Sequence, residues 1–214
     1  MLFHGSGNAF SAGDLVRPDK DGYVYVSDSK RWADAFAFND AASNLLTTEI
    51  AAALAEHRPI RLAAARKAGT VATVNAGSPL AADPDYLTAA ESLRTRGSVT
   101  VTGVQRGSIA SWRELTAVIG PHQRWSWDEP IYDADGFLQM PSDWQRWTGR
   151  SSADLRPLGP WCPRNSFWIH QNREIVIVSE ASIAGLGLSS LRTWGHARAL
   201  TAADARLAAQ HWWQ

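Results

Sequence analysis

The sequence has little cysteine, no excess of either charge and no long apolar run. Cys162 is the only cysteine among the 214 residues, so no disulfide can form within the chain. Lysine and arginine number 21, as do aspartate and glutamate, so no overall field attracts nucleic acid or a membrane, and only a local basic patch is left open. No stretch has the pattern of a signal peptide or a membrane span. These absences favour a cytoplasmic protein without a membrane partner.

Several catalytic and binding motifs are also missing. A dinucleotide-binding loop needs G-x-G-x-x-G, but Phe10 stands where the third glycine would follow Gly5 and Gly7. The pair Gly185 and Gly187 lacks a third glycine as well. There is no P-loop, no G-x-S-x-G elbow and no zinc-ligand spacing among the six histidines and one cysteine. The sequence therefore predicts no metal site.

The composition, 45% apolar and 20% charged, is that of a globular protein, but tryptophan is distributed unevenly. Trp32 is the only one of eleven that precedes residue 111. This asymmetry predicts two regions, residues 1–110 and residues 111–214. The other ten tryptophans are Trp112, Trp125, Trp127, Trp144, Trp147, Trp161, Trp168, Trp194, Trp212 and Trp213.

The pattern of the first region mixes short strands with one or two helices. Alternating residues predict strands at "LFH", "YVYVSDS" and "SVTVTGVQ". The stretch from Ser29 to His57 reads as mostly helical, with "FND" as a candidate break. Because regular βαβ spacing is absent, the fold class predicted is α+β.

The second region is predicted to be a smaller α+β, Trp-rich accessory or acceptor-recognition region. Ser111 and Glu114 form a capping-box pattern at the start of "SWRELTAVIG". A hairpin is expected about Gln171–Asn172, and "TAADARLAAQHWW" is expected to close the chain as a helix. The tryptophans are more typical of a small domain's core than of a platform on which bases stack, and Cys162 is interpreted as a packing residue.

Four segments of residues 1–106 resemble, in order, the motifs of the rifamycin ADP-ribosyltransferases. They are "FHGSGNAFSAGDLVRP", "YVYVSDSKRWADAFA", "TVATVNAGSPLAADPDYL" and "ESLRTRGSVTVTGVQ". The chain departs from that family where Ser6 replaces threonine and where Ala82 replaces the first of two aspartates. The resemblance implies a split β-sheet that binds NAD as co-substrate and transfers ADP-ribose to an acceptor, with release of nicotinamide.

The resemblance also implies the roles of individual residues. His4 would hydrogen-bond a ribose hydroxyl, Gly5 would let the backbone approach nicotinamide, and Tyr25 would stack on the ring. Asp83 would stabilise the oxocarbenium ion or orient the acceptor, with Asp85 as the competing carboxylate. The further cofactor-binding residues implied are Ser6, Ser27, Ser29, Arg94 and Arg96, the arginines for the diphosphate or the acceptor.

Two matters stay open at the level of sequence. The acceptor is a nucleic acid, a protein or a rifamycin-like small molecule, as for a toxin or a resistance enzyme. The alternative functions are a non-catalytic module that binds nucleic acid or a partner through its Trp/Arg-rich half, and an RNA 2′-phosphotransferase. The latter family has arginine before its histidine, where this chain has Phe3.

Overall fold

The chain forms two compact units, and most of the regular structure in the described residues lies in the first. The computed structural model describes residues 1–55, 61, 63–86, 88–125, 129–140, 142, 145–146, 151–163, 167–169 and 175–177. The first unit comprises Met1–Ser43 and Arg66–His122, and the second comprises Asn44–Ala65 and Gln123–Gln214. The sequence-based division at residue 110 into a catalytic and an accessory domain stays a prediction.

The first unit is built on a seven-stranded sheet in which all neighbouring strands are antiparallel. Helix α1 (Lys30–Ala55), whose residues up to Ser43 belong to this unit, and helix α2 (Trp112–Ile119) accompany the strands, so the predicted α+β class is confirmed. The strands are β1 (Leu2–Ser6), β2 (Leu15–Val16), β3 (Val24–Ser27), β4 (Thr70–Ala76), β5 (Ala81–Ala82), β6 (Ser92–Thr95) and β7 (Val99–Arg106). Their order is β2-β7-β4-β1-β3-β6-β5, a single sheet where the family resemblance implies a split one.

Helix α1 begins directly after β3 because a serine caps it. The Oγ of Ser29 accepts a hydrogen bond from the backbone N–H of Trp32 at 3.3 Å, which satisfies a donor of the first helical turn. The helix continues through Phe38 and Asp40, so the candidate break at "FND" is wrong. Asp40 does not compete for the helix backbone, since its carboxylate accepts hydrogen bonds from Ser6 and Gly7.

Helix α1 lies against the sheet at a distance that only small residues permit. A Cβ added to Gly5 would lie 1.9 Å from the carbonyl oxygen of Ala33, and one added to Gly69 would lie 2.1 Å from that of Ala37. Ala33, Ala37 and Val71 are buried together at this contact. Glycine at the sheet surface and alanine on the helix therefore allow the two backbones to touch.

A second hydrophobic cluster joins the strands of the sheet. Along β7 the buried members alternate with exposed residues, as expected where one face of a sheet is buried, whereas β3 and β4 also bury Ser27 and Val71. The buried members of the cluster are Val24, Val26, Ala72, Val74, Val99 and Val101. The strand predictions for β3 and β7 are therefore confirmed.

Hydrogen bonds connect the segment after β7 to α1, and α2 follows this segment. The buried carboxylate of Asp34 accepts hydrogen bonds from the Oγ of Ser108 at 2.5 Å and from its N–H at 3.3 Å. The capping box of Ser111 and Glu114 is present as predicted. Helix α2 then buries Trp112.

The second unit has a core of its own in the described residues. Ile131, Leu138 and Met140 are buried there, and Trp125 and Trp161 pack against the same cluster, as the core interpretation of the tryptophans expects. The other buried members are Tyr132, Leu155 and Cys162.

The predicted hairpin is confirmed as two paired strands, β8 (Phe167–Ile169) and β9 (Ile175–Ile177). The predicted turn at Gln171–Asn172 and the predicted closing helix at 201–213 lie outside the described residues. Within the part of the chain that the structure describes, neither helix combines the length and the hydropathy that crossing a bilayer requires.

The contact between α1 and β1 predicts a large effect for one added methyl group. In Gly5→Ala the new Cβ collides with the backbone of α1, which cannot move aside without separating helix from sheet. We expect the free energy of unfolding, measured by denaturant titration, to fall by about 2–3 kcal/mol. In the control Gly77→Ala the new Cβ has no atom within 4 Å. An equal loss in both variants would contradict the contact.

Candidate active site at the opening of the sheet

The sheet opens between β1 and β3. These strands pair only at Phe3 and Ser27, whereas β1 pairs with β4 from Leu2 to Ser6. Beside that pair the imidazole of His4 intervenes, and its Nδ1–H donates a hydrogen bond to the carbonyl oxygen of Tyr25 at 2.8 Å. A side chain thus takes the place of a backbone partner, and a cavity of about 550 Å³ lies at this position.

Five segments of the first unit form most of the walls of this cavity. Strands β1 and β3 contribute one side, α1 contributes another, and the loop before β3 and the 3₁₀ turn Pro84–Tyr86 also contribute. Predicted site residues from separate segments, and the competing Asp85, are thereby brought together. The predicted residues on the lining are His4, Gly5, Tyr25, Ser27 and Asp83.

His4 is held in one tautomer, and its burial favours the neutral form of the ring. A carbonyl oxygen can only accept, so Nδ1 of His4 carries the proton and Nε2 is left as a hydrogen-bond acceptor. Burial lowers the pKa of His4 below 6.5, against the opposing effects of the hydrogen bond to Tyr25 and the charge of Asp40. A neutral ring with a free acceptor suits a ligand hydroxyl as donor.

The cavity is acidic. Five aspartates line it, and none of the described lining residues is lysine or arginine. Burial raises the pKa of the Tyr25 hydroxyl, and the charge of Asp19 raises it next, followed by Asp83, Asp85 and Asp21. Within the described residues no three carboxylate, thiol or imidazole groups converge as metal ligands would. The five are Asp19, Asp21, Asp40, Asp83 and Asp85.

Aromatic rings face the same cavity from α1 and the 3₁₀ turn. Trp32 and Tyr86 lie edge to face with ring centroids 5.3 Å apart. Phe36 lies edge to face with Tyr86 at 5.6 Å. These mutual contacts fix the rings. An acidic cavity with aromatic walls can hold a flat organic cation, because both carboxylates and ring faces attract positive charge.

The two candidate carboxylates differ in their surroundings. Asp83 is only 3% exposed, and its oxygens accept from the Oγ of Ser92 at 2.9 Å and from the N–H of Asp85 at 3.0 Å. Asp85 is exposed and lines the cavity. Asp83 therefore holds the 3₁₀ turn in place, while the side chain of Asp85 is open to a ligand.

The predicted glycine and serines have structural contacts with other parts of the first unit or with the start of α1. At Gly5, the backbone that comes close is that of helix α1. The Oγ of Ser6 donates to Asp40 at 3.1 Å, and Ser29 caps α1. Ser6 and Ser29 are not among the residues that line the cavity, whereas Ser27 is, and its Oγ accepts from the N–H of Ser29 at 2.9 Å.

The two predicted arginines lie beside the cavity rather than on its lining. Arg94 pairs directly with Tyr25 across β3 and β6, so the two side chains share one face of the sheet. The guanidinium groups of Arg94 and Arg96 lie over the ring of Tyr23, 4.1 Å and 5.2 Å from its centroid. The Nε of Arg94 is buried and has no hydrogen-bond partner.

Sequence reasoning missed most of the helix and loop residues on the lining. Trp32, Phe36 and Asn39 follow helical spacing, so a periodic stripe on α1 could have revealed them. The lone tryptophan of the first half was a further signal. Asp19 and Asp21 lie in a turn-rich loop, where spacing carries no such information.

Neither a protein-family model nor a curated protein matches the chain.

The environment of His4 predicts a depressed titration. We expect the imidazole resonance of His4 to titrate by NMR with a midpoint below 6.5, because burial disfavours the charged ring. The unfolded chain takes up this proton more readily than the folded chain, so stability declines as the pH falls below 6.5. His4→Asn, which cannot be protonated in this range, should remove that share of the decline. A midpoint at or above 6.5 would contradict the assignment.

Proposed function

We propose that the protein is an NAD-dependent mono-ADP-ribosyltransferase that works in the cytoplasm. The observation that carries the proposal is the acidic, aromatic cavity at the junction of β1 and β3. His4, Tyr25 and the Asp83–Asp85 turn meet there, although they come from three separate segments of the sequence. These are the segments whose motifs resemble the rifamycin ADP-ribosyltransferases.

The charge of the cavity suits the reacting end of NAD. The nicotinamide ring of NAD is a flat cation, and the bond that breaks joins its nitrogen to C1′ of the ribose. As that bond breaks, nicotinamide leaves with the bonding electrons and positive charge develops on the ribose. Carboxylates fixed near this carbon would stabilise the transition state more than the ground state.

Tyr25 and His4 would bind the two parts of this group. The ring of Tyr25 offers a face on which nicotinamide can stack. The Nε2 of His4 would accept a hydrogen bond from a ribose hydroxyl, since Nδ1 is already engaged with Tyr25. Together they would orient C1′ for attack by the acceptor.

The diphosphate of NAD would extend from the acidic cavity toward Arg94 and Arg96. Arg94 shares a sheet face with Tyr25 and has a buried Nε without a hydrogen-bond partner. Stacking on Tyr23 restricts both guanidinium groups. A pre-oriented guanidinium is well suited to phosphate oxygens.

We assign different roles to the two carboxylates of the 3₁₀ turn. Asp85, exposed and on the lining, would face the developing positive charge and accept the proton that the acceptor nucleophile loses. Asp83, which binds Ser92 and the N–H of Asp85, would position the turn. The acceptor is a nucleic acid, a protein or a small molecule.

The first test is nicotinamide release from NAD by the purified full chain, with and without cell lysate. We expect release by the wild type and a loss of about a hundredfold in His4→Ala, because the ribose loses its orienting contact. His4→Asn is the sharper variant, since its amide can still donate to the Tyr25 carbonyl but lacks the Nε2 acceptor. Full activity in His4→Asn would show that His4 only holds the sheet open. If the wild type releases no nicotinamide under any condition, the proposal is overturned.

The second test separates the two carboxylates. Asp85→Asn should lower kcat at least about tenfold with an unchanged free energy of unfolding, because the group is exposed. Asp83→Asn should lower the free energy of unfolding by about 1–3 kcal/mol, because a buried hydrogen-bonded carboxylate is lost. If Asp83→Asn instead reduces only kcat and Asp85→Asn changes nothing, Asp83 is the working carboxylate.

A further inference from the structure

A second cavity of the first unit, of about 760 Å³, is basic where the first is acidic. It lies where β4 begins and β7 ends. Arg66, Lys67 and Arg106 line it, together with the polar side chains of Thr70 and Gln105. Asp, Glu and His are all missing from its described lining.

The backbone beneath these cations is fixed at several points. Thr70 and Arg106 are direct partners in the ladder of β4 and β7, so their side chains share one face. The N–H of Gly107 donates to the carbonyl oxygen of Gly69 at 2.9 Å. Asp34 then anchors Ser108, the residue that follows. The backbone that carries these cations is therefore held in a defined conformation.

The three positive charges of this cavity are not neutralised by neighbouring described residues. Among the described residues, Arg66, Lys67 and Arg106 form no ion pair and no hydrogen bond through their side chains. The nearby carboxylate of Asp34 is occupied by Lys30 at 3.0 Å and by Ser108. In a chain with a formal net charge of zero, this is a local concentration of positive charge.

We propose that this basic cavity binds the phosphate groups of a single nucleic-acid strand. All three cations are exposed, which suits phosphodiesters that keep part of their hydration while counterions are released. A site for a small phosphorylated molecule would instead enclose it with buried donors. Thr70 and Gln105 supply further polar groups for phosphate or sugar contacts. The inference does not depend on the proposed transferase activity.

The experiment measures binding of a fluorescently labelled oligothymidylate of about 12 nucleotides to the full chain by anisotropy. In Lys67→Gln/Arg106→Gln we expect the affinity to fall about tenfold. The magnitude of the negative slope of log K against log salt should decrease by about 1.4, because two phosphate contacts are lost. Arg17→Gln/Lys20→Gln removes the same charge from exposed positions outside both cavities. That control should bind nearly as the wild type does.

Three outcomes would overturn the proposal. The strand fails to bind the wild type, the control variant loses as much affinity as the cavity variant, or inorganic pyrophosphate displaces the strand at an equal concentration of phosphate. The last would make the cavity a site for small phosphates. The test needs no NAD and no turnover, so its result is separate from that of the nicotinamide assay.

Discussion

The contact of α1 with the sheet is the constraint on which the rest of the first unit depends. Gly5 and Gly69 have no side chain at this contact, so the backbone of α1 approaches them closely, and Ala33 and Ala37 meet them from the helix. With α1 in that position, its next stripe of residues, which includes Trp32, lines the opening between β1 and β3. The packing of the core and the geometry of the candidate site are thus set by one contact.

Polar groups close to this contact serve mainly to hold it. Asp40 binds the turn after β1 through Ser6 and Gly7, and Asp34 binds the segment after β7 through Ser108. Both carboxylates project from α1, so the helix fixes two loops as well as the strands. Such charge-assisted bonds are stronger than neutral ones. They hold the turn after β1 and the segment after β7, which lie beside the two cavities, in defined positions.

The strands and α2 could be predicted from the sequence because they depend on local patterns. Alternation marks β3 and β7, and Ser111 with Glu114 marks the start of α2. The continuity of α1 through Asp40 could not be predicted, since it depends on a partner 34 residues away in the chain. In the site, the family resemblance pointed to His4 and Tyr25, but it could not show that Ser6 binds Asp40 of α1 and that Ser29 caps the same helix.

The charge separation within the first unit is the feature that no sequence pattern revealed. Aspartates from the loop before β3, from the Asp83–Asp85 turn and from α1 converge on one cavity, and cations from the segment before β4 and from β7 gather at another. Equal numbers of acidic and basic residues conceal this in the composition. The acidic cavity suits the cationic end of NAD, and the basic one suits the phosphates of a nucleic-acid strand.

The most direct measurement is the affinity of the full chain for NAD⁺ and for NADH, by calorimetric titration under the same conditions. The two molecules share the adenine, the riboses and the diphosphate, and they differ in the charge of the nicotinamide ring. An acidic cavity with aromatic walls predicts that NAD⁺ binds about tenfold more tightly than NADH, a difference in scale with a cation–π contact beside carboxylates. Equal affinities, or tighter binding of NADH, would contradict the placement of the nicotinamide ring among Tyr25, Trp32 and the aspartates.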